Sequence, residues 1–131
     1  MKRILIIDDD KDMRGLYEMF FSDQTEKYEV EIQSDATVAL ERVKDSKFDL
    51  IILDIIMEPM FGDSFFLYLR GEESTMRVPV LVVSVLGPDT MGRLKRIDHV
   101  DTIDKPRTLD FLQKPVTKEQ LLCEVDRMLL H

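Results

Sequence analysis

The sequence predicts a doubly wound α/β domain, in which a five-stranded parallel sheet carries helices on both of its faces. Short runs of almost wholly apolar residues recur along the chain, as they do in strands that are buried on both sides of a parallel sheet. Each run is followed by a stretch with apolar residues at helical spacing, and this alternation is typical of repeated β–α units. The length of 131 residues fits a single domain that spans residues 1–131.

Five strands are predicted from the apolar runs. The second run alternates between polar and apolar residues, which indicates a strand with one exposed face. The first, third and fourth runs are apolar throughout, which indicates strands buried on both faces. The predicted strands are residues 4–7, 28–33, 50–53, 80–83 and 109–112.

Five helices are predicted between and after the strands. They cover residues 12–21, a stretch that begins after a cap at Ser34 or Asp35, residues 64–70, residues 88–97, and a last helix opened by the capping box Thr117-x-x-Gln120. The positions expected to face the core in the first two helices are Met13, Leu16, Tyr17, Phe20, Val38, Ala39, Leu40 and Val43. In the last helix they are Leu121, Leu122, Val125, Met128 and Leu129, with Cys123 expected to be buried among them.

Composition narrows the class of function. The net charge is −8, from 18 basic and 26 acidic residues. This balance argues against direct nucleic-acid binding, which needs a basic surface to neutralise phosphates. No apolar run approaches the roughly 20 residues of a membrane span, and too few apolar residues follow Lys2 and Arg3 for a signal peptide. We therefore expect a cytoplasmic protein with neither a membrane nor a nucleic acid as its partner.

Polar residues stand at the ends of the predicted strands. Residues 8–10, all aspartate, follow the first strand, Asp54 follows the third, Ser84 follows the fourth, and Lys114 comes shortly after the fifth. Because the carboxyl ends of parallel strands share one edge of a sheet, we expect these side chains to lie close together. A turn or a helix cap would explain any one of them, but it would not explain four at one edge.

These residue types suit the transfer of a phosphoryl group. Carboxylates in a cluster repel one another, and a hard cation such as Mg²⁺ would relieve the repulsion. Asp54 could then act as a nucleophile toward phosphorus. The ion and the Lys114 ammonium would neutralise charge on the transferred group, and the Ser84 hydroxyl could donate a hydrogen bond to a phosphate oxygen.

The ordered set of motifs resembles the receiver domains of two-component response regulators over essentially the whole chain. The first strand is followed by an acidic pair, the third strand ends at a phosphoacceptor aspartate with a glycine downstream, and the fourth ends in a switch serine. The fifth leads into an aromatic-x-x-Lys-Pro signature. In this sequence the matching residues are Asp8, Asp9, Asp54, Gly62, Ser84, Phe111, Lys114 and Pro115.

The resemblance implies a role for each acidic residue. Asp54 would accept a phosphoryl group from the phosphohistidine of a histidine kinase or a histidine phosphotransfer protein. Asp54 and Asp9 would ligate Mg²⁺ directly and Asp8 would act through water, while the backbone carbonyl of Ile56 would supply a further protein ligand. Such a chain is a phosphoacceptor signalling domain that promotes only its own phosphotransfer and dephosphorylation, and not an enzyme with a separate substrate.

The resemblance also implies a switch. Ser84 and Lys114 would bind the phosphoryl group, and Phe111 would move into the space that Ser84 vacates. The bond between Lys114 and Pro115 would be cis. The signal would pass to an output domain or a target protein through the face formed by the fourth helix, the fifth strand and the fifth helix.

Three features depart from the family pattern. Glu58 stands where the family usually has proline, Val85 follows the switch serine where a very small residue is usual, and Ile56 and Leu86 are apolar at positions that often carry polar groups. Val85 predicts restricted access for small phosphoryl donors. Ile56 and Leu86 offer nothing to orient an attacking water, which predicts a long-lived phosphoaspartate.

The chain contains two candidates for the signature lysine. The stretch from Ser84 to Lys114 is longer than is usual for the family, and the dipeptide at residues 105–106 is also Lys-Pro. We prefer Lys114 because Phe111 precedes it at the signature spacing and the capped last helix follows at once. The extra residues, around 99–108, would then form an insertion before the fifth strand.

Two alternatives to a working phosphoacceptor remain. A pseudo-receiver, an interaction module with this fold but without phosphorylation, is favoured by Glu58 and Val85. A haloacid-dehalogenase-type phosphohydrolase also uses an Asp-x-Asp motif after its first strand, as in Asp8 and Asp10, but Lys11 stands where that class has other residues. A stand-alone regulator and a receiver within a longer protein are both compatible with the sequence.

Overall fold

Strands and helices alternate along the whole of the described chain, as predicted. The structure is a computed structural model that describes residues 1–56, 62–85, 88–97 and 108–129. The strands are β1 (Lys2–Ile7), β2 (Tyr28–Gln33), β3 (Leu50–Leu53), β4 (Val80–Ser84) and β5 (Leu109–Gln113). The helices are α1 (Lys11–Phe21), α2 (Ala36–Asp45), α3 (Gly62–Gly71), α4 (Pro88–Ile97) and α5 (Lys118–Leu129).

All five strands form one parallel sheet in the order β2-β1-β3-β4-β5. The strand order reverses direction between β1 and β3, and doubly wound folds place their ligands at such a point. Ile7 pairs with Leu53, and Leu53 pairs with Val82. The carboxyl ends of the three inner strands are therefore level with one another, and the residues that follow them share one edge of the sheet.

The two faces of the sheet are covered by separate apolar clusters. In β1 the side chains of Leu5 and Ile7 pack toward α2, α3 and α4, whereas those of Ile4 and Ile6 pack toward α1 and α5. All four are completely buried, and burial of one such side chain contributes about 1.5–3 kcal/mol to stability. An almost continuous apolar strand can form only between two such covered faces.

Within the described residues, polar caps are seen at the start of α1, α2 and α5. The Asp10 side chain accepts a hydrogen bond from the amide of Asp12 at 3.1 Å and begins α1. Asp35, and not Ser34, caps α2 by accepting from Thr37 at 2.7 Å. The capping box before α5 is confirmed, since the amide of Gln120 donates to the Thr117 hydroxyl at 3.1 Å and the amide of Thr117 donates to the Gln120 side chain at 2.9 Å.

Three predictions of burial were wrong. Leu16 of α1 is 39% exposed, Val38 of α2 is 46% exposed, and Cys123 of α5 is also exposed. Successive helical positions are rotated by about 100°, so a predicted face that is one residue off turns a side chain toward solvent. The buried positions are Met13, Tyr17 and Phe21 in α1, Ala36, Ala39 and Val43 in α2, and Leu121, Glu124, Val125 and Met128 in α5.

None of the helices in the described part of the chain is both long and apolar enough to cross a membrane.

Candidate functional site

The four strand-end residues singled out in the sequence meet at one edge of the sheet. Asp8 and Asp54 leave the adjacent strands β1 and β3, and both are buried, as is Ser84 at the end of β4. Lys114 follows β5, and its side chain is only 14% exposed. These residues share one edge of the sheet, as expected from the parallel topology.

Three carboxylates form a cluster at this edge. One carboxylate oxygen from each of Asp8, Asp9 and Asp54 lies within 4.8 Å of the others. Asp8 and Asp54 are buried while Asp9 is exposed, so the cluster opens toward solvent through Asp9. Asp10 does not join the cluster, because its carboxylate caps α1. Three carboxylate oxygens at this spacing are suited to a hard divalent cation.

The Lys114 ammonium joins two members of the cluster. Its Nζ donates to Asp8 Oδ2 at 2.9 Å and to Asp54 Oδ2 at 3.3 Å. Burial opposes its charge, but the two carboxylates outweigh burial and raise the pKa of Lys114. This contact places the Lys114 ammonium at the cluster, whereas the competing lysine at residue 105 lies outside the described residues. The peptide bond between Lys114 and Pro115 is cis, as predicted.

The electrostatics of the cluster change the pKa of Asp54. Burial, followed by the nearby charge of Asp8, raises the pKa of Asp54 to about 6. Lys114 and a hydrogen bond from the amide of Ile56 to Asp54 Oδ1, at 3.2 Å, act in the opposite direction. A buried carboxylate beside another carboxylate is harder to ionise, and a bound cation would favour its ionised form.

Gly62 packs directly against the backbone of Asp54. A β-carbon at Gly62 would collide with the Asp54 carbonyl oxygen and would lie 2.7 Å from the α-carbon of Ile55. The amide of Gly62 donates to the Ile55 carbonyl at 2.8 Å. Glycine is therefore required here, because the first residue of α3 packs against the backbone of Asp54 and Ile55 and leaves no space for a side chain.

The ends of β4 and β5 are joined at the site. The amide of Lys114 donates to the Ser84 carbonyl at 2.8 Å, and the Gln113 side chain donates to the Val85 carbonyl at 3.3 Å. Phe111 is partly buried and packs against the apolar cluster that α2, α3 and α4 cover. The serine, the lysine and the aromatic residue of the predicted switch are thus held on two paired strands.

Two apolar side chains near the site are exposed. Ile56, two residues beyond Asp54, is 44% exposed, and Val85, next to Ser84, is 57% exposed. Neither can donate or accept a hydrogen bond through its side chain. The other two residues of the predicted departures, Glu58 and Leu86, lie outside the described residues, as do residues 99–107 of the predicted insertion.

Two residues of α1 that the sequence did not mark as functional also approach the site. Arg14 donates through Nη1 to the Asp8 carbonyl at 3.2 Å. Tyr17 is buried, and its burial together with the charges of Asp8 and Asp54 raises the pKa of its hydroxyl. The sequence indicated only that both residues belong to the first predicted helix, where positions 14 and 17 lie about one turn apart.

A separate cavity of about 480 Å³ lies near the opposite edge of the sheet. It is lined by the end of α2, the start of β3 and the loop before β4, including Phe48, Asp49 and Arg77. None of the strand-end residues lines it. The cavity therefore plays no part in the chemistry of the carboxylate cluster.

Comparison with known proteins identifies one family. The model of the response regulator receiver domain family matches residues 4–126. The response regulator receiver protein CpdR of Brucella abortus is 30% identical over 99% of this chain and 98% of its own. The Vibrio cholerae chemotaxis protein CheY4 has a structure with a TM-score of 0.82 at 26% identity, covering 98% of this chain and 99% of that one.

Other relatives are longer. The response regulator ArlR of Staphylococcus saprophyticus is 26% identical over 98% of this chain, which spans 53% of the length of ArlR. The sensor histidine kinase TmoS of Ectopseudomonas mendocina is 28% identical over 97% of this chain, which spans 12% of that kinase. The chain thus matches the short regulators over nearly their whole length, but it spans only about half of ArlR and a small part of TmoS.

Proposed function

The chain belongs to the response regulator receiver domain family, and we propose that it is a switch that is phosphorylated on Asp54. The observation that carries this proposal is the position of the Asp54 carboxylate, which lies within one cluster with Asp8 and Asp9 and is bonded to Lys114 at 3.3 Å. Such a carboxylate has acidic neighbours that can hold a cation and a lysine that can neutralise a second anion. The proposed receiver comprises residues 1–131.

The residues present fit Mg²⁺. This ion prefers carboxylate oxygens and water, and it is held by few protein ligands, as the three aspartates could provide. Asp9 and Asp54 would bind it directly and Asp8 through water, with the Ile56 backbone carbonyl as a further ligand. When bound, the ion would neutralise the cluster and stabilise negative charge on the oxygens of the transferred phosphoryl group.

The proposed reaction is a phosphoryl transfer from the phosphohistidine of a histidine kinase or a phosphotransfer protein. A carboxylate oxygen of Asp54 attacks phosphorus, and the new P–O bond forms as the P–N bond breaks. The imidazole leaves with the bonding electron pair and takes up a proton. Because only the ionised carboxylate is a nucleophile, Lys114 assists by opposing the rise in the pKa of Asp54 that burial and Asp8 cause.

The proposed switch uses the residues that hold β4 and β5 together. The Ser84 hydroxyl would donate to a phosphoryl oxygen, and Lys114 would turn from a partner of Asp54 into a partner of the phosphoryl group. Phe111 would follow Ser84 inward, which changes the surface of α4, β5 and α5. An output domain or a target protein would read that surface. Such a chain acts in the cytoplasm as a signalling domain whose only chemistry is its own phosphorylation and dephosphorylation.

The position of Asp10 disfavours the phosphohydrolase alternative. The resemblance to that class rests on the Asp-x-Asp motif of Asp8 and Asp10, but the carboxylate of Asp10 caps α1 and lies outside the carboxylate cluster. Asp8 instead pairs with Lys114. The pseudo-receiver is then the competing function that an experiment has to test.

The test uses beryllofluoride, which mimics a phosphoryl group on a carboxylate, in an NMR titration with and without Mg²⁺. Wild type is compared with Asp54→Ala, which lacks the acceptor. We expect Mg²⁺-dependent shifts in wild type alone, reaching Ser84, Lys114 and α4. Equal responses in the two chains, or none in wild type, would overturn the proposal and leave the pseudo-receiver.

A further inference from the structure

The turn that carries Asp8 and Asp9 is fixed almost entirely through Asp8. The Asp8 amide donates to the Gln33 carbonyl in β2 at 3.1 Å. Its Oδ1 accepts from the Asp10 amide at 2.9 Å, and its Oδ2 accepts from Lys114 at 2.9 Å. Both the backbone and the carboxylate of Asp8 are therefore held.

Asp9 has no such support of its own. Its side chain is exposed, and it makes no hydrogen bond or ion pair with the described residues. Its position in the carboxylate cluster depends on the backbone that leads into it. That backbone begins with the peptide group joining Asp8 to Asp9, whose oxygen is the carbonyl of Asp8.

Arg14 holds the oxygen of this peptide group. Asp8 lies beyond the last residue of β1, so its carbonyl is past the hydrogen-bonded ladder of the strand. The Arg14 guanidinium donates to it at 3.2 Å from one turn inside α1. The helix that carries Arg14 is fixed in turn by the cap at Asp10 and by the buried ring of Tyr17.

We propose that Arg14 is a positioning residue for the metal site, which orients the peptide group between Asp8 and Asp9 and so places the Asp9 carboxylate for a divalent cation. The inference rests on the proposed Mg²⁺-dependent function and adds to it a residue outside the ligand set. Groups that orient metal ligands without touching the ion typically change metal affinity about 10–100-fold when removed.

Electrostatics alone predicts the opposite effect. Arg14 carries a positive charge near the cluster, and this charge repels an approaching cation. If Arg14 acted only through its charge, its removal would strengthen the binding of Mg²⁺. If it acts by orienting the Asp8 carbonyl, its removal weakens that binding.

Lys11 provides a matched control. It lies in the first turn of the same helix, is exposed, and makes no hydrogen bond or ion pair within the described ranges. Arg14→Met and Lys11→Met each remove one positive charge from the first part of α1, the helix that follows the acidic turn. Only Arg14→Met also removes a hydrogen bond to the turn.

The experiment is a titration of the purified chain with Mg²⁺, followed by NMR, for wild type and both variants. We expect Arg14→Met to raise the dissociation constant for Mg²⁺ about tenfold, and Lys11→Met to lower it slightly. Binding by Arg14→Met as tight as in wild type, or tighter, would overturn the inference while the proposed function stands. Absence of Mg²⁺ binding by wild type would instead overturn the proposed function.

Amide hydrogen exchange without metal keeps the inference testable if Arg14→Met is less stable. The Asp10 amide, bonded to Asp8 Oδ1, should exchange faster in Arg14→Met than in wild type. The Asp8 amide, bonded to β2, reports on the sheet and should exchange at the wild-type rate. Faster exchange of both amides to the same extent would show a general loss of stability and would count against a positioning role.

Discussion

The first residue of α3, Gly62, rests on the carbonyl group of Asp54, so the proposed acceptor is fixed from outside its own strand. The amide of Gly62 also bonds the Ile55 carbonyl at 2.8 Å. Together these contacts hold the backbone immediately after β3, where the side chain of Asp54 leaves the sheet. Any side chain at position 62 would have to push this backbone away.

We therefore expect Gly62→Ala to lower the free energy of unfolding by about 2–4 kcal/mol, because a methyl group there overlaps backbone atoms that cannot easily move. Urea denaturation measures the change. Gly15→Ala in α1 is the matched control, since a β-carbon there meets no atom within 4 Å. The control should be neutral or stabilising by up to about 1 kcal/mol. Equal effects of the two substitutions would contradict this account of Gly62.

Removal of the Lys114 ammonium should have two opposite effects. Lys114→Met leaves Asp8 and Asp54 buried without their cation, so the metal-free chain should lose about 2–4 kcal/mol of stability at neutral pH. The same change removes a positive charge from the cluster, so Mg²⁺ should bind more tightly. Thermal denaturation with and without Mg²⁺ measures both effects.

Lys27→Met serves as its control. The ion pair of Lys27 with Asp126 is exposed, and its loss should change stability by less than about 1 kcal/mol without altering Mg²⁺ binding. If Lys114→Met and Lys27→Met changed stability alike, the ion pairs of Lys114 would not have the role assigned to them.

The raised pKa of Asp54 predicts how stability changes with pH. Its pKa is about 6 in the folded chain, whereas the ordinary pKa of an aspartate, which we take for the unfolded chain, is 3.8. Folding therefore favours the protonated carboxyl. The resulting stabilisation is present below the pKa of Asp54 in the unfolded chain. It is lost as the pH rises through the higher pKa of Asp54 in the folded chain. Between about pH 4 and pH 7 the metal-free chain should lose on the order of 2 kcal/mol from this group.

Asp54→Asn removes this titration and keeps the shape of the side chain. The stability difference between Asp54→Asn and wild type should therefore shift in favour of the variant as the pH rises over that range, as measured by urea denaturation. Glu73→Gln, an exposed change of the same charge in the loop after α3, controls for net charge. A difference that stays constant with pH would show that Asp54 does not titrate as described.

Val85 should limit access to the acceptor. It is 57% exposed next to Ser84, at a position where the family usually has a very small residue beside the path of the entering phosphoryl group. Val85→Ala should accelerate phosphorylation by a small donor such as acetyl phosphate several-fold, as followed by mass spectrometry. Val38→Ala, which shortens an exposed valine on α2, should leave the rate unchanged, and equal rates for Val85→Ala and wild type would exclude this role.

Ile56 should lengthen the life of the phosphorylated state. Its exposed apolar side chain offers no group to orient a water for attack on the phosphoaspartate. Ile56→Asn should shorten the half-life after donor removal, while wild type should decay slowly. A half-life of seconds in wild type would contradict the prediction.

The fold could be predicted because its inner strands leave few alternatives. The runs at residues 50–53 and 80–83 are apolar throughout and too short for buried helices. They therefore predict strands that are covered on both faces. The convergence of Asp8, Asp54 and Lys114 then followed from parallel topology alone, without any knowledge of side-chain packing.

Other features could not be predicted because they depend on packing between elements. The contact of Arg14 with the Asp8 carbonyl joins a side chain to a backbone atom across a turn, and no sequence pattern encodes it. The need for glycine at position 62 depends on how the start of α3 packs against the backbone that follows β3. Leu16 and Val38 failed as core residues because the direction of a helical face was judged from apolar spacing, and neighbouring positions differ by about 100°.

The strand order gives the two halves of the site unequal freedom to move. The acidic half follows β1 and β3, which are hydrogen-bonded to strands on both sides. The half with Lys114 and Phe111 belongs to β5, which pairs in the described chain with β4 alone. Shifting an edge strand breaks one ladder, whereas shifting an inner strand breaks two. The aspartates can therefore stay stationary as a fixed frame while the lysine side of the site adjusts against it.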